Sequence, residues 1–117
     1  MKNPDTLNAD YKARPNDKIL LTVVVGNAQM GATAVWIDET LHGQQDYDQT
    51  LLGTGAALSG HEVRVKTLVA DINNFSNKMS VTYTLEGGPA PLTKTVNHEV
   101  DEDGESAVFR AIFTIKR

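Results

Sequence analysis

Apolar residues fall at every second position in several stretches of the chain, the period of a half-buried strand. In residues 18–25, Ile19, Leu21, Val23 and Val25 share one face, and Leu20, Thr22 and Val24 share the other. Apolar side chains on both faces predict a strand covered, at least in part, on both sides. In 32–39, Val35 and Ile37 oppose Ala34, Trp36 and Asp38. The short connection between these two stretches, with Gly26-Asn27 and Gly31, predicts a hairpin. Residues 62–70 place Val63, Val65, Thr67 and Val69 inward, and 79–86 place Val81, Tyr83 and Leu85 inward. The stretch 92–100 is more polar and reads as an edge strand guarded by Lys94 and His98. Residues 106–116 turn Ala107, Phe109, Ala111, Phe113 and Ile115 to the core, leaving Val108, Arg110, Ile112 and Thr114 on the other side. The turn Asp101-Glu102-Asp103-Gly104 carries the strongest hairpin signal, because Asp-Gly supplies the positive-φ position.

Two regions break the alternation. Residues 1–17, with Pro4 and Pro15, read as a flexible N-terminal arm or linker that could pair with a sheet edge around 9–13. Residues 40–61 are irregular and rich in glycine. Structureless loops of about 20 residues are uncommon in a compact domain. A short strand near 50–52 and a helical turn near 56–58 are therefore expected. No 3.6-residue period is sustained anywhere. The expectation is one all-β domain over 18–117, a mostly antiparallel two-sheet sandwich of about seven strands. It is immunoglobulin-like at the level of architecture, with a small closed β-barrel as the alternative.

Composition agrees with the pattern. The 117 residues include 11 Val, 5 Ile and 12 Thr, the β-branched types that favour strands. A chain this long buries about two-thirds of its unfolded surface. With no cysteine, disulfides and thiolate chemistry are excluded. The formal charge is −4, and the basic residues form no run. That argues against nucleic acid as a partner. No apolar run reaches the ~18 residues of a membrane helix. The N-terminal stretch has no apolar core of a signal peptide. The compartment stays open: extracellular or periplasmic if a leader was removed upstream, cytoplasmic otherwise.

Candidate chemistry is sparse. Glu99, Asp101, Glu102, Asp103 and Glu105 crowd one turn, and Asp101, Asp103 and Glu105 are the calcium candidates. Their spacing does not follow the EF-hand loop, and a solvated turn explains them as well. Asp71, Asn73, Asn74 and Asn77 suit Asx turns, and Asn74-Phe75-Ser76 matches the N-glycosylation triplet. His42, His61 and His98 lie far apart without a zinc spacing. Residues 53–60, GTGAALSG, narrowly miss the dinucleotide fingerprint, since Leu58 stands where the third glycine belongs. Ser59 is not in a nucleophile elbow. No cofactor is implied.

By exclusion, the expected function is a non-catalytic binding, adhesion or assembly module working through protein contacts or self-association. Leu20, Val24, Val108 and Ile112 would supply its apolar patch. The first alternative is carbohydrate binding by Trp36 and Tyr47, exposed and coplanar, with Gln44, Asp46 and Asp48 as polar partners. Packing of Trp36 beneath the 40–61 loop is the structural reading of the same residue. The second alternative is a small hydrolase or isomerase, which requires a histidine with a carboxylate partner in a concave pocket.

Overall fold

The computed structural model describes residues 3–27, 29–73, 75–102 and 104–117. Nine strands are present among them: β1 (Leu7–Lys12), β2 (Lys18–Gly26), β3 (Met30–Ile37), β4 (Thr40–Gln44), β5 (Thr50–Thr54), β6 (Glu62–Ala70), β7 (Lys78–Glu86), β8 (Leu92–Glu99) and β9 (Ser106–Lys116). A single helical turn, α1 (Gly55–Leu58), follows β5. Thr54 caps it, its hydroxyl accepting from the Ala57 amide at 3.2 Å.

The strands form two sheets packed face to face and not closed into a barrel. One holds five strands in the order β1-β9-β6-β3-β4, the other four in the order β5-β2-β7-β8. All pairings are antiparallel except β1 with β9. Alternation decides the interior. Ile19, Leu21, Met79, Val81, Tyr83 and Leu85 come from the smaller sheet. Val35, Val63, Val65, Val69, Phe109, Phe113 and Ile115 come from the larger, all buried. Tyr83 meets Phe113 edge-on across the gap, with ring centroids 5.8 Å apart. Interdigitation of two such inner faces is what holds a sandwich without disulfides.

Both expected hairpins are overturned. The β2–β3 connection passes from one sheet to the other, and so does the turn between β8 and β9. The reason is edge occupancy. β2 pairs with β5 and β7, β3 with β4 and β6, and β9 with β1 and β6, so none has a free edge for its chain neighbour. The actual hairpins are β3–β4 and β7–β8. The segment read as an arm contains β1, whose Tyr11 is buried and whose hydroxyl accepts from the Gly88 amide at 2.8 Å. The irregular 40–61 region adds β4, and this brings the strand count above the expected seven. β8 ends the smaller sheet as an edge strand.

The apolar patch expected from Leu20, Val24, Val108 and Ile112 does not exist as one surface. Leu20 and Val24 lie on the outer face of the four-stranded sheet, Val108 and Ile112 on that of the five-stranded sheet. Val24 is 54% exposed, so β2 is not covered on its outer side there. No helix among the described residues is long and apolar enough to cross a membrane.

Candidate functional site

The outer face of the five-stranded sheet is assembled by cross-strand register. Trp36, Arg64 and Ile112 stand in one row across β3, β6 and β9. The next row is Ala34, Lys66 and Arg110, and the one after it Ala32, Leu68 and Val108. The β3–β4 register shifts between Val35 and Trp36, a bulge at which a side chain can be re-aimed. Trp36 is half-buried. It lines a shallow depression of about 370 Å³ together with Thr6, Asp38, Glu39, Arg64, Lys66, Arg110 and Ile112. A second depression of about 400 Å³ lies on the other side of Trp36, lined also by Ala34, Gln44, Lys66 and Leu68.

The charges here are unevenly satisfied. Arg64 donates to Glu62 at 2.7 Å, which holds its guanidinium pKa above the ordinary value. Lys66 stands directly opposite Arg110 on the neighbouring strand, and neither makes an ion pair among the described residues. Like charges directly opposite each other destabilise a sheet. The pair therefore costs the fold something and leaves two cations free beside an indole.

Asp38 has φ of 52°. Its carboxylate accepts from the Glu62 amide at 2.9 Å and from His61 Nδ1 at 2.6 Å. The Glu62 amide first, and then His61, hold the Asp38 pKa below its ordinary value of 3.8. This is the histidine–carboxylate pair that the hydrolase reading requires, and both members are half exposed. Among the described hydrogen bonds no serine or threonine hydroxyl meets His61. His42 shares a hydrogen bond with the Tyr47 hydroxyl at 2.9 Å, and His98 packs edge-on against Phe109.

The expected sugar platform is overturned at Tyr47. Its side chain is 2% exposed and fills the gap between the two sheets near β2 and β4. Its backbone carbonyl accepts from the Val23 amide at 2.8 Å. Burial pushes the phenol pKa up, against the opposing effect of the Gln45 side chain. Two flanking aspartates in sequence do not keep a ring in water when its backbone is tied to a central strand. Gln44 does share a depression with Trp36, whereas Asp46 and Asp48 are exposed beside Thr22 and Val24 in another.

Of the calcium candidates, Asp101 is exposed and Glu105 accepts from the Glu102 amide at 3.0 Å. Asp103 lies outside the described residues, as does Asn74 of the glycosylation triplet. No three carboxylate or imidazole side chains converge as metal ligands among the described residues. Sequence reasoning passes over Lys66 and Arg110. Alternation alone turns both outward, but only pairing of β6 with β9 makes them neighbours. Comparisons with family models, with curated proteins and with solved structures find no match.

Proposed function

We propose that this chain is a non-catalytic binding and assembly module that receives a protein partner on the outer face of its five-stranded sheet. The observation that carries the reading is the unpaired Lys66–Arg110 couple beside half-buried Trp36. Tryptophan and arginine are the residues most enriched where protein contacts concentrate their energy. The surface is broad and shallow, which suits a protein more than a small molecule needing deep enclosure. The two free cations argue against a neutral glycan as the main ligand, although Trp36 and Gln44 share one depression.

The test uses the single tryptophan as its own probe. An Asp/Glu-rich peptide carrying one phenylalanine is titrated against the protein while Trp36 emission is followed. A blue shift that saturates, and that is lost in Lys66→Glu/Arg110→Glu, supports the reading. An emission unmoved by this peptide, with retention of the protein on immobilised glycans that Trp36→Ala abolishes, overturns it in favour of carbohydrate.

A further inference from the structure

The end of the sandwich where β6 runs into β7 presents an apolar knob. Phe75 is 99% exposed at its tip, and Met30 and Ile72 at the same end are each more than half exposed. The loop is not slack. Gln29, 8% exposed, drives its side-chain amide into it from the β2–β3 connection. Its Nε2 donates to Asp71 Oδ1 at 2.8 Å and to the carbonyls of Ser76 at 3.2 Å and Lys78 at 3.0 Å. Its Oε1 accepts from the amides of Ile72 at 2.8 Å and Asn73 at 3.0 Å. The Asn73 side chain then accepts from the Phe75 amide at 2.9 Å. A segment ordered in advance loses less entropy on binding.

The knob has an acidic border. The Asp71 amide donates to the Glu105 carbonyl at 2.9 Å, and the Val100 amide to the Asn77 carbonyl at 3.0 Å. These bonds lay the turn between β8 and β9 against the loop. Glu99, Asp101 and Glu102 are exposed there and make no ion pair among the described residues, although Lys78 stands opposite Glu99. So one end of the molecule carries an aromatic bordered by carboxylates. Its flank carries a depression lined by Trp36, Ile112, Lys66 and Arg110, and also by Glu39 and by Asp38, whose carboxylate is held by His61 and the Glu62 amide.

We infer that these two surfaces are made for each other in successive copies: the Phe75 end of one chain docks on the Trp36 face of the next. The inference rests on the face being a protein-binding surface, and it names the partner as a second copy of this chain. A molecule cannot satisfy its own face. Asp71 follows Lys66 by five residues along the β6 direction, about 16 Å of extended chain. Packing the face on itself about a two-fold axis would bring a second Lys66 and a second Arg110 onto the same cationic face, which like charges oppose. The contact joins the end of one copy to the flank of another: made once per copy it grows into rings or filaments, and made twice about a two-fold axis it closes as a dimer.

Sedimentation velocity over a range of concentrations tests it on four samples: the wild-type chain, Phe75→Ser, Lys66→Glu/Arg110→Glu, and an equimolar mixture of the two variants. Both changes are at exposed positions, and circular dichroism confirms that each variant is folded. The wild type forms dimers or larger species, and their share falls as salt rises. Each variant alone associates at least about tenfold more weakly, as loss of an interface anchor does. The mixture stops at a dimer, because one variant retains only the receiving face and the other only the donating end. A wild type that stays monomeric, or variants that assemble as it does, overturns the inference. If the wild type is monomeric while the acidic peptide still shifts Trp36 emission, self-docking falls and the binding face stands. If neither assembly nor emission responds to Lys66→Glu/Arg110→Glu, both fall.

Discussion

The two outer faces of this sandwich are built by the same alternation and end in opposite states. On the four-stranded sheet, Thr22, Thr84 and Thr93 form one row and Val24, Thr82 and Thr95 the next. Thr82 and Thr95 share a hydrogen bond of 2.9 Å, and Thr84 and Thr93 one of 3.4 Å. Here the hydroxyls satisfy one another across the strands, and the apolar Val24 at the end of its row stays 54% exposed. On the five-stranded sheet, the corresponding rows put Lys66 against Arg110 and leave the indole of Trp36 half open. Threonine pairs across strands stabilise a sheet, whereas like charges weaken it. The difference separates a face whose threonine hydroxyls pair with one another from one that keeps two cations opposed beside a half-open indole.

The comparison depends on the register of β9, so the sharpest way to break it is from inside. Phe113→Ala should cost ~3–5 kcal/mol in urea unfolding, because its ring is buried among both sheets. A loss below about 1 kcal/mol would mean that β9 is slipped by one residue. The row Trp36–Arg64–Ile112 would then not exist. Next in size is Tyr83→Phe. The Tyr83 hydroxyl is buried with no hydrogen-bond partner among the described residues, and burial pushes its pKa up. Removing it should raise stability by about 1 kcal/mol or more, since an unsatisfied buried group costs ~1–3 kcal/mol. An equal loss instead would show that the hydroxyl is satisfied, and that the interior beneath the threonine face is packed differently.

The outer faces themselves should answer in opposite directions. Lys66→Glu turns a repelling pair into an attracting one and should raise the free energy of unfolding, by ~0.2–1 kcal/mol. Thr82→Asp, which places a carboxylate in the threonine row, should lower it by a similar amount. If both lower it, the five-stranded face serves the fold just as the other does, and the contrast fails. The smallest effect is in pH. The folded Asp38 pKa lies below its ordinary value of 3.8, so the carboxylate's contribution is complete above that value. It is lost as pH falls through the lowered folded value. Acid unfolding curves of the wild type and Asp38→Asn should diverge at neutral pH and converge in acid. Curves that stay parallel would show that the His61 and Glu62 bonds add nothing.

How far the chain can be read in advance varies with the kind of information needed. The inward positions of β6, from Val63 to Val69, follow from period two and need no partner. Alternation sets Trp36 opposite Val35 and Ile37, but it leaves open whether the indole is exposed or packed beneath the 40–61 loop. Tyr47 escapes such a reading because its backbone is tied to Val23 on another strand, which no local pattern announces. The same holds for Gln29. It looks like a turn residue, yet it carries five hydrogen bonds to a loop more than forty positions away.

What the sequence determined by itself was which side of each strand is apolar, because side-chain direction in a strand is local and strictly alternating. It also determined that packing alone, without cross-links, must hold the domain. Only the tertiary structure decided which strands are neighbours. Asp-Gly at 103–104 and Gly-Asn at 26–27 are turn signals in either case, but a turn can close a hairpin or cross to the opposite sheet. The choice depends on which edges other strands have already taken. From that choice follow the separation of Val24 from Val108, the meeting of Lys66 with Arg110, and the surface on which this protein's function is proposed to rest.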